Sequence, residues 1–132
     1  MLGQNVNSYG KETKGKLWNP DSLTWNVDGE RRTEGKTPFR ELLEAIGAIE
    51  GLDRLRFTSS NPHDMTRDIL DAHFEIPTMT PYLHFALQSG SDSVLKRMNR
   101  KHTYADFKSQ VDYLRSKNPL FSISTDIIVG FP

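Results

Sequence analysis

Residues 82–99 read YLHFALQSGSDSVLKRMN, and they contain a strand, a short polar connection and a helix in direct succession. In residues 82–87 apolar and polar side chains alternate, which is typical of a strand with one face in a core. Residues 88–91 are small and polar, and residues 92–98 are predicted to form a short helix capped by Ser91 or Asp92. A strand that leads directly into a helix is the unit from which parallel sheets are built.

Similar units lie on both sides of this stretch. Helix N-caps are predicted at Thr37, Thr66 and Thr103, and further strands are predicted at residues 52–58 and 121–129. Strands and helices that alternate in this order call for parallel strands joined by right-handed crossovers. The sequence therefore predicts the α/β class.

Each predicted strand has one apolar face and one polar face. In the last strand Phe121, Ile123, Ile127 and Val129 oppose a polar set, which is Ser122, Ser124 and Asp126. Apolar faces suit covering helices, and polar faces side by side in a curved sheet would line the inside of a barrel. The alternative is an open sheet with its polar side in water.

Composition excludes several classes of protein. The 132 residues are too few for a complete (β/α)₈ barrel, and 17 basic residues balance 17 acidic ones, so no overall charge draws the chain to nucleic acid or membrane. Cysteine is absent, and no apolar run approaches the roughly 18 residues that span a bilayer. A cytoplasmic protein without a membrane partner is expected. Residues 10–36 are predicted to form a long polar insertion loop.

Polar side chains follow all three predicted strands at their carboxyl ends, where ligands bind in such folds. Residues 58–63, 88–92 and 126–132 supply hydroxyl, amide and carboxylate groups suited to a zwitterionic nucleoside. We interpret His84, in a predicted strand, as a packed or solvated barrel residue rather than a ligand, and His63, His73 and His102 lack the spacing of a metal site. The basic run at residues 96–102 is either a solvated helix end or a contact for a carboxylate or an RNA phosphate.

Five motifs together resemble the radical S-adenosylmethionine (SAM) domain of the methylthiotransferase family, closest to its tRNA-modifying MiaB type. They are LGQNVNSY at residues 2–9, TSSNP at 58–62, LQSGSDSVL at 87–95, MNR at 98–100 and DIIVGFP at 126–132. The resemblance covers nearly the whole chain apart from residues 10–36. It implies a partial (β/α)₆ TIM-like barrel fragment with parallel strands, which binds SAM against a 4Fe-4S cluster.

The same resemblance implies the cofactor-binding residues. Gln4 is expected to meet the methionine amino group and Arg100 the methionine carboxylate. Ser60, Gln88 and Asp126 are expected to contact the methionine moiety or the ribose, and backbone near Ile128 the adenine. The implied reaction adds a methylthio group to carbon 2 of N6-isopentenyladenosine beside the anticodon of tRNA, with electrons from a separate donor.

The family's cluster-binding cysteine loop, its N-terminal methylthiotransferase domain and its C-terminal RNA-binding domain have no counterpart in these residues. We therefore expect residues 1–132 to be an internal fragment of a radical SAM core, inactive alone, without catalytic or metal-binding residues of its own. The cluster would be held by cysteines outside this chain. Two alternatives remain open, a methylthiotransferase that modifies a ribosomal protein and a non-catalytic barrel remnant that binds SAM or a nucleotide.

Overall fold

The computed structural model describes residues 5–10, 24–25, 31–32 and 36–132. The helices are α1 (Pro38–Gly47), α2 (Arg67–Glu75), α3 (Asp92–Arg97) and α4 (Tyr104–Lys117). The strands are β1 (Thr24–Trp25), β2 (Arg31–Arg32), β3 (Tyr82–His84) and β4 (Ser122–Ser124), and short 3₁₀ turns occur at Val6–Ser8 and Pro62–Asp64. Within these ranges every helix is too short or too polar to cross a lipid bilayer.

Three extended segments run parallel, with the one that contains β3 in the middle. β3 and β4 pair in parallel, and the Leu55↔Met79 and Ser60↔Phe85 bridges attach the first predicted strand to the other edge of the middle segment. This confirms the predicted parallel α/β arrangement. The strands are shorter than predicted, however: β3 ends at His84 and β4 at Ser124, and outside them the segments pair only through isolated bridges such as Ser60↔Phe85 and Gln88↔Ile127.

The predicted 10–36 loop lies largely outside the described residues. Its described part consists of β1 and β2, which pair antiparallel with Thr24 opposite Arg32 and Trp25 opposite Arg31. This pair of two-residue strands was not predicted, since the polar composition of residues 10–36 indicated a loop.

Two of the predicted helix caps are confirmed in detail. The Thr37 hydroxyl accepts a hydrogen bond from the Arg40 amide at 3.2 Å, at the start of α1. Thr103 and Asp106 form a reciprocal capping box at the start of α4, so two otherwise unsatisfied amides are satisfied there. Thr66 precedes α2 as predicted, but its hydroxyl donates to Asp68 instead of accepting from the helix backbone.

The prediction that Ser91 or Asp92 caps α3 is confirmed for the N-cap position, which Ser91 occupies, but not for a side-chain hydrogen bond. Ser91 makes no capping hydrogen bond, and its hydroxyl lies 3.0 Å from that of Ser93. Asp92 instead accepts a hydrogen bond from the Tyr104 amide at 2.7 Å. A free amide at the start of a helix is a strong partner for a carboxylate, so Asp92 ties the start of α3 to the start of α4.

The core lies between the helices and the apolar faces of the three segments. In the first two segments the predicted apolar residues are all buried, and they are Leu55, Phe57, Leu83, Phe85 and Leu87. In the last segment Phe121 is buried, but Ile127 is 53% and Val129 88% exposed, against expectation. Among the described residues of this segment, Ile123 is the last apolar residue that packs against the core.

Candidate functional site

A cavity of about 230 Å³ opens at the carboxyl ends of the three parallel segments. Four of the five predicted site residues line it together, namely Ser60, Gln88, Arg100 and Asp126. The fifth, Gln4, lies outside the described residues, although its neighbour Asn5 also lines the cavity. The remaining lining residues are Ser59, Asn61, His84 and Ala86.

Backbone hydrogen bonds between segments hold the lining residues side by side. The Ala86 amide donates to the Ser60 carbonyl at 3.2 Å, and the Gln88 amide donates to the Asp126 carbonyl at 2.9 Å. The Ile128 amide returns to the Gln88 carbonyl at 2.9 Å. Because parallel strands present their carboxyl ends at one edge, residues far apart in sequence meet there.

Left-handed backbone concentrates around the cavity. Ser59, Gln88 and Asn99 have φ values of 62°, 71° and 57°, and no other non-glycine residue in the described ranges has a positive φ. Ser59 and Gln88 line the cavity, and Asn99 directly precedes Arg100. Such backbone costs about 1–3 kcal/mol per residue and clusters at functional sites. The residue types of Ser59 and Gln88 do not indicate this conformation, whereas asparagine is known to tolerate it.

Several polar groups at the cavity have no hydrogen-bond partner among the described residues. The Ser60 hydroxyl, in a residue only 1% exposed, and the Asn5 side-chain oxygen are buried without a hydrogen bond to any described residue. An unsatisfied buried group costs about 1–3 kcal/mol, which a bound ligand would recover. No contact within the described residues occupies the Arg100 guanidinium or the Gln88 side-chain amide. The cavity thus offers a hydroxyl, amides, a guanidinium and a carboxylate.

The segment after residue 4 is tied to the end of the first extended segment by a pair of asparagines. Asn7 donates to the Asn61 carbonyl at 2.9 Å, and the Asn61 amide donates to the Asn7 side-chain oxygen at 3.0 Å. Asn5 and Ser8 both donate to one oxygen of Asp64, at 3.0 and 2.7 Å. These contacts place Asn5 at the cavity and bring two of the five sequence motifs together.

His84 also lines the cavity, as a partly packed strand residue whose side chain is 19% exposed. Its Nε2 lies 3.3 Å from the Asp126 carboxylate and its Nδ1 lies 3.1 Å from the Ser124 hydroxyl. The signal was present in the alternation of the strand, because His84, Ala86 and Gln88 share its polar face.

His102 anchors the turn that carries Arg100. It is buried, and its Nε2 lies 3.3 Å from the Leu87 carbonyl, next to Gln88. Burial lowers the pKa of His102, which favours a neutral ring that donates its Nε2 proton to that carbonyl. The sequence showed only that His102 lacks metal-site spacing and did not indicate this positioning role.

A second cavity of about 300 Å³ lies on the opposite, helix-covered side of the sheet, between α4 and β4. Tyr104, Val111 and Ile123 are among its lining residues. It contains none of the predicted site residues. In the part of the chain that the structure describes, no group of acidic, histidine or cysteine side chains has the arrangement of a metal site.

Comparison with known proteins agrees with the motifs. The family model for the radical SAM superfamily matches residues 26–132. Over all 132 residues the chain is 47% identical to the tRNA-2-methylthio-N(6)-dimethylallyladenosine synthase of Corynebacterium glutamicum. It is 41% and 42% identical to proteins of the same name from Jannaschia sp. and Pasteurella multocida. The chain is covered completely in each case but spans only 23–24% of the relatives' lengths.

Proposed function

Because the chain belongs to the radical SAM superfamily, we propose that the cavity at its strand ends binds SAM. The observation that supports this most directly is the set of polar groups that line the cavity without a partner among the described residues. Arg100 suits the methionine carboxylate, since a guanidinium forms paired hydrogen bonds with a carboxylate. Asp126, Ser60 and Gln88 offer partners for the ammonium group or the ribose hydroxyls. Gln4 remains a proposed contact of the amino group.

The size of the cavity limits which part of SAM it holds. Pockets that enclose a whole drug-sized ligand begin at about 300 Å³. At about 230 Å³ the cavity accommodates the charged methionine end and part of the ribose. The adenine would then lie outside it, near the backbone at Ile128. The buried Ser60 hydroxyl and Asn5 oxygen fit such a ligand, because it brings both donors and acceptors.

The 132 residues offer no thiolate for a 4Fe-4S cluster, so its cysteine ligands would come from outside them. When bound, the cluster supplies the electron, obtained from a separate donor, that cleaves SAM. The role proposed for these residues is to hold SAM. Arg100 and Asp126 would fix opposite charges of the methionine moiety, while Ser60 and Gln88 orient it.

The fold that we propose is a partial (β/α)₆ barrel, with residues 1–132 as a fragment of its core. Parallel segments with helices on their apolar side, and His84, Gln88 and Asp126 lining a shared cavity on the other, support a barrel interior. An open sheet with a wet face would leave such residues without a common enclosure.

The substrate that we propose is tRNA, because the relatives compared above are named as tRNA-modifying synthases. The whole protein would add a methylthio group to carbon 2 of N6-isopentenyladenosine. Lys96, Arg97 and Lys101 are exposed near Arg100, with no ion pair to any residue that the structure describes. They are the proposed contacts for RNA phosphates.

A chimera tests this function. Residues 1–132 replace the matching segment of the C. glutamicum relative, and the chimera is produced in a bacterium that lacks its own synthase. Mass spectrometry of tRNA nucleosides is expected to show 2-methylthio-N6-isopentenyladenosine, as it does with the unaltered relative as positive control. If the chimera binds SAM but only N6-isopentenyladenosine is found, the segment does not support this reaction. A ribosomal protein that gains the mass of a methylthio group would favour the ribosomal alternative.

A further inference from the structure

Four side chains on the polar face of β3 and β4 form a continuous chain that ends in the cavity. The Tyr82 hydroxyl lies 2.7 Å from the Ser124 hydroxyl, which in turn lies 3.1 Å from Nδ1 of His84. On the other side of the ring, Nε2 of His84 lies 3.3 Å from Oδ2 of Asp126. The chain thus joins two adjacent strands across their parallel pairing, in which Tyr82 is opposite Ser122 and His84 opposite Ser124.

The chemistry of the two ends fixes the direction of the hydrogen bonds. A carboxylate only accepts, so a hydrogen bond across the 3.3 Å contact with Asp126 requires the proton on Nε2 of His84. In the neutral ring Nδ1 then accepts from the Ser124 hydroxyl, whose oxygen accepts from Tyr82. All donors point one way, from Tyr82 towards Asp126. The Ser124 hydroxyl serves as both donor and acceptor, which links Tyr82 to the His84 ring.

Asp126 needs such an anchor more than any other proposed site residue. Its side chain is 67% exposed, whereas that of His84 is only 19% exposed. Among the residues that the structure describes, His84 is the one side chain in polar contact with the Asp126 carboxylate. Without that contact the carboxylate would be free to rotate in solvent, and a ligand would have to immobilise it at an entropic cost.

We propose that His84 is a positioning residue, which holds Oδ2 of Asp126 through its Nε2 proton so that Oδ1 is presented to a hydrogen-bond donor of the ligand. Ser124 and Tyr82 select the required tautomer of the ring. This inference rests on the proposed binding of SAM in the cavity. The donor on the ligand is either the ammonium group or a ribose hydroxyl group. Of these two, free methionine carries only the ammonium group and adenosine only the ribose hydroxyls.

A double-mutant cycle in the chimera measures the coupling through SAM dissociation constants from equilibrium dialysis. His84→Ala and Asp126→Asn are each expected to weaken binding about tenfold. The double variant is expected to bind about as weakly as Asp126→Asn alone, because His84 acts only through Asp126. Additive losses of about a hundredfold would overturn the proposal. Methionine and adenosine are then tested as competitors of SAM. The one whose own affinity falls in Asp126→Asn carries the group that Asp126 binds.

Two variants of similar polarity separate positioning from folding. The glutamine side-chain nitrogen can take the place of Nε2, whereas the shorter asparagine places its nitrogen near Nδ1. His84→Gln is therefore expected to retain most of the SAM affinity and His84→Asn to lose it about tenfold. Equal losses in both variants contradict the proposal. If the unaltered chimera does not bind SAM, the proposed function fails. The contact between His84 and Asp126 is then tested independently of SAM, by NMR of the His84 ring.

Nitrogen-15 NMR of the imidazole in the 132-residue chain reports the tautomer without any ligand. In the neutral ring, we expect His84 to carry its proton on Nε2. Ser124→Ala is expected to shift the ring towards a mixture of tautomers. Ser122→Ala, on the same face of β4, serves as the matched control and is expected to change nothing. A proton on Nδ1 in the unaltered chain would overturn the proposal.

Discussion

An Arg100→Ala substitution in the chimera is expected to weaken SAM binding about ten- to a hundredfold. A hydrogen bond to a charged partner contributes about 1.5–3 kcal/mol, and the Arg100 guanidinium has no competing partner among the described residues. The left-handed backbone at Asn99 and the anchoring of His102 to Leu87 fix the turn from which Arg100 reaches the cavity. Equilibrium dialysis with labelled SAM gives the dissociation constants.

Arg97→Ala provides the matched control for this result. It removes the same charge three residues away, on the exposed end of α3, and is expected to leave SAM affinity within about twofold. Arg100→Lys is expected to lie between the two, since lysine keeps the charge but not the paired geometry. An Arg100→Ala chimera with unchanged affinity would remove Arg100 from the site.

The second large effect concerns the core and acid stability. His73 is buried between the rings of Phe57 and Phe121, with centroid distances of 5.4 Å to each, and its Nδ1 donates to the Ile69 carbonyl at 3.2 Å. Its Nε2 is buried without a partner in the described part of the chain. Burial lowers the pKa of His73 from 6.5 to about 4, against the smaller raising effect of backbone hydrogen bonds.

The sign follows from which state binds the proton. Between pH 6.5 and about 4, His73 is protonated in the unfolded chain but neutral in the folded chain. The free energy of unfolding should therefore fall as the pH drops through this window, by about 3 kcal/mol in total from this residue. Below it both states are protonated, and His73 adds no further loss.

His73→Phe isolates this contribution in denaturant titrations across the same pH range. The variant keeps an aromatic ring between Phe57 and Phe121 but has no group to titrate. Its free energy of unfolding is expected to decline less on acidification than that of the unaltered chain, the difference reaching about 3 kcal/mol. Parallel curves for the two proteins would show that His73 is not buried as described.

Local patterns in the sequence predicted the fold well. Alternation in residues 82–87 identified which side chains are buried, and threonine caps located the starts of α1 and α4. The same logic placed Ser60, Gln88 and Asp126 at one edge, because the carboxyl ends of parallel strands must meet. Arg100 came from the family resemblance, and the structure adds it to the same cavity.

What the sequence did not reveal depends on contacts between distant residues. Arg40 of α1 is buried and donates to Glu44, Glu75 and the Asp68 carbonyl, partners that only the packing of α1 against α2 brings together. The missing side-chain cap at α3 has a similar cause, since the Asp92 carboxylate accepts from the Tyr104 amide at the start of α4 instead. The pairing of His84 with Asp126 likewise requires the register of two strands, which alternation alone does not determine.

Binding of SAM in the strand-end cavity is tested most directly by titrating SAM into the nitrogen-15-labelled chain and following its amide resonances. The amides of Ser60, Gln88 and Asp126 are expected to shift along one saturating curve, while those of Tyr104 and Val111 in the second cavity stay in place. Saturable shifts confined to the α4 cavity, or a spectrum that stays unchanged at millimolar SAM, would contradict the account.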